Sequence, residues 1–229
     1  MKIQAKLLDT LFHHQAMLKQ TIHINVLGDE GSAFWIVLQT IKAIYNDADR
    51  FVIAPHSTEY LKKELFEYFG MKDLFGIISI LYPPSGKLDK AFVARFCLQG
   101  IVKGCQQNDP LSLLMMRNAG VVLGNHVKAC IPDMDETLIQ ESKNAGLKII
   151  CIGSVWKSWE FMKDGFLAGL RPVTDEEKSL RKICLLTLKA TAKASVGAAA
   201  WASKKSDDGS GVLNLDYSKT SDVIYQYEF

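Results

Sequence analysis

Two glycine turns carry the residues of this sequence whose chemistry and spacing are best suited to holding a ligand. Gly28-Asp29-Glu30-Gly31-Ser32-Ala33 lies near the start, and Gly153-Ser154-Val155-Trp156-Lys157-Ser158-Trp159-Glu160 lies far downstream. Each reads as a turn that feeds a helix. Glycine lets the backbone approach a ligand closely, and a helix start offers amide N–H groups that have no partner within the helix. Asp29, Ser154 and Ser158 add polar side chains at those turns. A carboxylate can accept from two hydroxyls at once, which suits a sugar, and amides and hydroxyls converging beyond the end of a strand suit a nucleotide. Taken alone, Gly28 to Ser32 reads first as an ordinary N-cap turn, and Trp156 and Trp159 read as packing residues.

The elements that must position these turns follow from periodicity. Ile3, Leu7, Leu8, Leu11, Phe12 and Leu18 mark an amphipathic helix over residues 2–19, and Ile22, Ile24 and Val26 alternate like a short strand. After the first glycine turn, Phe34 to Tyr45 predicts a helix that stops in Asn46-Asp47-Ala48-Asp49. A second helix follows Pro55-His56, capped by Ser57 or Thr58 and closed by Gly70. Leu74 to Leu81 is ambiguous between helix and strand, and Pro83 to Gly86 is a loop. Leu88 to Gln107 reads as helical. Asp109 before Pro110 is an N-cap with proline at the first helical position, and that helix runs to about Cys130, where Pro132 ends it. A polar helix is predicted over 134–145.

Leu147 to Ile152 is an apolar run suited to a buried parallel strand, and a helix is predicted from about Trp156 to Ala168. Strand, Gly153-Ser154 turn and helix together form a β-turn-α unit of the nucleotide-binding kind. Thr174 and Glu177 are spaced as a capping box, Ile183 to Leu188 reads as a second buried strand, and Ser195 to Ser203 as a closely packed small-residue helix. Lys204 to Gly211 is loop-like, and the tail through Tyr225 and Phe229 adds a last short element.

Composition narrows the function classes. The 229 residues are 48% apolar with a formal net charge of +2, enough apolar content for a core and no basic tract that would call for nucleic acid. No apolar run approaches the roughly 20 residues that span a membrane, and the first residues lack a signal-peptide core, so a cytoplasmic location is expected. Five scattered cysteines without a C-x-x-C pair read as reduced thiols, mostly in the core. The histidines form no metal-binding spacing, and His56 reads as a cap or surface residue.

Residues Gly28 to Ala33 with Trp35, and the unbroken run Gly153 to Glu160, resemble in the same order the C-terminal lobe of the N-acetylglucosamine kinases. These belong to the BadF/BadG/BcrA/BcrD-type ATPases of the actin, Hsp70 and hexokinase superfamily. The resemblance covers residues 28–229 and implies an α/β, predominantly helical fold: an incomplete ribonuclease-H-like, actin-like ATPase C-terminal lobe with a large helical insertion. Residues 1–27 stand apart as a segment unlike the family. The resemblance further implies that Asp29 hydrogen-bonds sugar hydroxyls, that Ser154 and Ser158 contact ATP, and that Ala94 lines the nucleotide pocket, beside a Pro83 to Lys90 loop longer than the family's. The implied reaction is ATP-dependent phosphorylation of N-acetyl-D-glucosamine at its 6-hydroxyl in amino-sugar salvage, with ATP and Mg²⁺, by a homodimer that binds neither nucleic acid nor membrane.

The family's aspartate base and phosphate hairpins belong upstream of the position of Gly28, so no catalytic residue is assigned here. Asp9 sits on a predicted helix without a glycine hairpin and offers no replacement. The expectation is therefore a truncated kinase of weak or no activity, in which Ile22 to Val26 pairs with the exposed sheet edge as a partial repair. The alternative is a noncatalytic binding or regulatory module that associates with full-length kinase.

Overall fold

Helix α1, Ala33–Ala48, starts where the Trp35 amide donates to the Ser32 hydroxyl at 3.1 Å, an N-cap that satisfies one of the unpaired amides of the first turn. The structure, a computed structural model, describes residues 29–134, 136–144, 146–172, 182–188 and 221–228. Its described residues fall into a helical unit, 29–130 with 157–172, and a sheet unit, 131–156 with 182–188 and 221–228.

In the helical unit, α1 buries Phe34, Ile36, Val37, Ile41 and Ile44 along one stripe, with Thr40 donating back to the Ile36 carbonyl at 2.9 Å. Asp47 then pins the following segment: one carboxylate oxygen accepts from the Ala54 amide at 2.9 Å and the other from the Thr58 hydroxyl at 3.3 Å. Helix α2, Glu59–Phe69, buries Leu61 and Leu65 and ends at Gly70, whose φ of 65° is the left-handed conformation that glycine adopts without strain. The ambiguous 74–81 stretch resolves as a short helix, α3, Gly76–Leu81, whose first amide donates to Asp73.

Asp89 caps α4, Lys90–Phe96, by accepting from the Phe92 amide at 2.8 Å. The helix continues through a π-turn, Cys97–Val102, into α5, Lys103–Gln106. Gly100 stands in that turn because a Cβ there would collide with the Phe96 ring. Phe92 and Phe96 join Tyr68 and Phe69 in an aromatic cluster, with Tyr68 stacked on Phe92 at 5.3 Å between ring centres. Asp109 caps α6, Pro110–Cys130, through the amide and hydroxyl of buried Ser112 at 2.8 and 2.7 Å.

The chain then passes through the sheet unit, with α7 (Glu136–Asn144) and β1 (Leu147–Cys151), and returns to the helical unit with α8, Trp159–Leu170. The expected start of α8 near Trp156 needs correction. A 3₁₀ turn, Ser154–Ser158, intervenes, because the chain leaving a strand winds tightly before it settles into α geometry. Helices α6 and α8 cross at backbone contact. A Cβ on Gly120 or Gly124 would run into the carbonyl oxygens of Met162 or Phe166, and one on Gly165 or Gly169 into those of Arg117 or Val121. Two glycine pairs, each spaced four apart and so on one helix face, make this approach possible.

In the sheet unit β2, Lys182–Leu188, is central. It pairs in parallel with β1, from Leu147 opposite Ile183 to Cys151 opposite Thr187, and antiparallel with β3, Ser221–Glu228, with an irregularity between Leu185 and Leu186. Helix α7 packs on β1 and β2. The fold is thus α/β, mostly helical, with a small mixed sheet. The tail expected to add a short element forms β3. Among the described residues no helix is long and apolar enough to cross a membrane. The helix expected over 2–19, the strand Ile22 to Val26 and its edge pairing, the boundary at residues 27 and 28, the Thr174 and Glu177 capping box, the Ser195 to Ser203 helix and the Lys204 to Gly211 loop lie outside the described residues.

Candidate ligand-binding site

The Asp29 turn is built by its neighbours. The Ser32 amide donates to the Asp29 carbonyl at 2.9 Å, and Gly31 closes the turn at φ 81° with the Leu123 side chain packed against its Cα. A side chain at Gly31 would be both strained and obstructed. Asp29 therefore stands at the head of α1, half-buried, with Glu30 beside it. Its carboxylate meets the Lys90 ammonium from the first position of α4, at 2.6 Å from Oδ2. The same ammonium lies 4.9 Å above the centre of the buried Phe34 ring. Carboxylate, ammonium and ring face form one polar and aromatic corner where α1 packs on α4.

The sequence holds one local sign of the Lys90 contact. A cation in the first turn of a helix opposes the macrodipole, so a lysine directly after the capping Asp89 calls for a partner elsewhere. Ala94, expected to line a nucleotide pocket, is half-buried one helical turn beyond Lys90 and on the same face of α4. The helical unit thus brings Asp29 and the Ala94 face of α4 together through Lys90.

The second glycine turn divides between the units, between Trp156 and Lys157. In the sheet unit, Gly153 follows parallel strand β1 with φ 116°, and an added Cβ would meet nothing within 4 Å among the described residues. Ser154 is exposed beside it. Open space above a glycine, next to an exposed hydroxyl beyond a strand's C-terminal end, is room a ligand can use. In the helical unit, Ser158 is 7% exposed and makes no capping hydrogen bond at the start of α8. Trp159 is buried edge-on against Phe166 at 5.4 Å, and Trp156 is half-buried.

No family model matches this chain. Among the described residues no three His, Cys, Asp or Glu side chains are grouped so as to hold a metal ion. Cys97, Cys105, Cys151 and Cys184 are buried and Cys130 is half-buried, as free thiols. Burial pushes Cys97, Cys105 and Cys151 up to about 12, away from the reactive thiolate form. These cysteines belong to the packing.

Proposed function

We propose that this chain is of the N-acetylglucosamine kinase type, a ribonuclease-H-like lobe that binds N-acetyl-D-glucosamine at the head of α1 and ATP at the Gly153-Ser154 turn. The observation that carries this reading is the position of the Asp29 carboxylate. It is set at a helix start by a glycine turn and balanced by Lys90, with oxygens able to accept from sugar hydroxyls. The exposed Ser154 beside open Gly153 supports the nucleotide half. Ser158, being buried, is the weaker of the two serine candidates.

ATP bound with Mg²⁺ would supply the γ-phosphoryl group for the sugar's 6-hydroxyl. Asp29 would hold sugar hydroxyls and Ser154 a polar edge of the nucleotide. The proposal places the protein in the cytoplasm as a homodimer.

Saturation-transfer NMR with N-acetylglucosamine tests the sugar half: signal with the native chain, lost in Asp29→Asn, is the expected result. An unchanged signal in that variant would refute the assignment. Because the residues assigned here hold substrates and none is assigned as a base, a coupled assay of ADP release with MgATP and the sugar should stay near background, and turnover at the rate of an ordinary sugar kinase would overturn that expectation.

A further inference from the structure

We propose that Lys90 sets the charge selectivity of the Asp29 site, admitting an uncharged sugar and turning away sugars that carry a free ammonium group. This rests on the proposal that Asp29 receives sugar hydroxyls.

The ammonium contacts Oδ2 of Asp29 at 2.6 Å and lies 4.9 Å from the centre of the Phe34 ring face. The Asp29 and Lys90 side chains are 29% and 35% exposed, so the pair is only partly screened by water. It lies where α1 packs on α4. With Lys90 in place, Asp29 keeps hydroxyl-accepting capacity but presents no unbalanced negative charge. A hydroxyl gains a charge-assisted acceptor. An incoming ammonium gains little from a carboxylate already neutralised and is repelled by a like charge beside it, which is discrimination through an unfavourable contact with the wrong ligand.

Among amino sugars this separates the N-acetylated form, whose amide is neutral, from the free amine, which is protonated near neutral pH. Without Lys90, Asp29 would stand as a bare carboxylate with a ring face beside it. That is a site for a cation. The selectivity should then weaken or reverse, which a merely structural lysine would not bring about.

The test uses the full chain and two probes, N-acetylglucosamine and glucosamine, titrated by NMR at about pH 6, below the ordinary range of an amine. The native protein is expected to bind glucosamine at least about tenfold more weakly than N-acetylglucosamine. Lys90→Met should bring the two affinities to within about twofold or invert them, and Lys90→Arg, which keeps the charge, should retain the native preference. Lys90→Gln serves as the second neutral variant, with helical circular dichroism verifying the fold of each. Native selectivity persisting in a folded neutral variant would overturn the role of Lys90 while leaving sugar binding by Asp29 intact. Failure of the native chain to bind either sugar would overturn the sugar site itself, and this inference with it.

Discussion

At the scale of single residues, the carboxylates that cap α4 and α6 differ in the burial of their partners. Asp109 accepts from both the amide and the hydroxyl of Ser112, which is fully buried, at 2.8 and 2.7 Å. Asp89 caps α4 through one exposed bond to the Phe92 amide. Removing an acceptor that leaves a buried donor unsatisfied costs more than removing an exposed cap. Asp109→Ala should therefore lower unfolding stability by about 2 kcal/mol, and Asp89→Ala by about 0.5–1 kcal/mol. Urea unfolding of the two variants checks the order, and equal losses would show that the Ser112 bonds contribute nothing beyond an ordinary cap. The Asp109 cap was legible in the sequence because its logic is local: an acid, a proline and a small polar residue within four positions. The Asp29 turn was legible for the same reason. Its ion pair with Lys90 was not, since the partner comes from a helix far along the chain, and only the oddity of a lysine at a helix start hinted at it.

At the scale of elements, the crossing of α6 and α8 is the most constrained contact in the helical unit. Gly165 faces the Arg117 carbonyl and Gly120 the Met162 carbonyl, backbone against backbone, so an added methyl has no flexible side chain to displace. Gly165→Ala must push the two helices apart along their length, and a loss above about 3 kcal/mol, or failure to fold, is expected. Gly70→Ala is the contrast. There a Cβ meets nothing within 4 Å among the described residues, and the cost is the left-handed φ of 65°, about 1 kcal/mol. Thermal unfolding of both variants distinguishes a packing constraint from a conformational one, and a Gly165→Ala protein as stable as Gly70→Ala would show that the helices can separate cheaply. Periodicity gave α1, α2 and α6 close to their observed bounds, because amphipathic stripes and caps are properties of the segment itself. It left the Leu74 to Leu81 stretch undecided, since a run this short and apolar fits either period. It placed the start of α8 too early, missed the π-turn at Cys97–Val102, and could not pair the glycines of α6 with those of α8. Each of those depends on the surface against which the segment packs.

At the scale of the molecule, each unit carries buried titratable groups of its own. The apolar strands Leu147 to Ile152 and Ile183 to Leu188 were legible as runs, whereas the return of the chain to the helical unit for α8 was not, since no boundary composition marks it. In the helical unit, burial raises Cys97 and Cys105 from the ordinary 9.0 to about 12, and Tyr45 from 10.0 to about 12, the last with added repulsion from Asp73 and Asp49. In the sheet unit Cys151 is raised likewise. The sign follows from proton binding. Below the unfolded values both states hold these protons, and the stability they permit is fully present. Between about 9 and 12 the unfolded chain gives up its thiol protons while the folded chain keeps them, so unfolding is favoured progressively as pH rises. For Cys97, which is 4% exposed, the slope is roughly 1.4 kcal/mol per pH unit across that window. Cys105 and Tyr45 add to it in the same direction. Urea midpoints followed by helical circular dichroism should therefore fall between about pH 8.5 and 10.5, because the loss begins at the unfolded thiol value. Cys97→Val, which keeps an apolar group of similar size but has no proton to lose, isolates the cause: its stability should decline with pH less steeply than the native protein's by about one proton's worth. Parallel declines in the two proteins would show that the Cys97 thiol gains no protection from ionisation on folding, and that the alkaline loss comes from net charge spread over the surface.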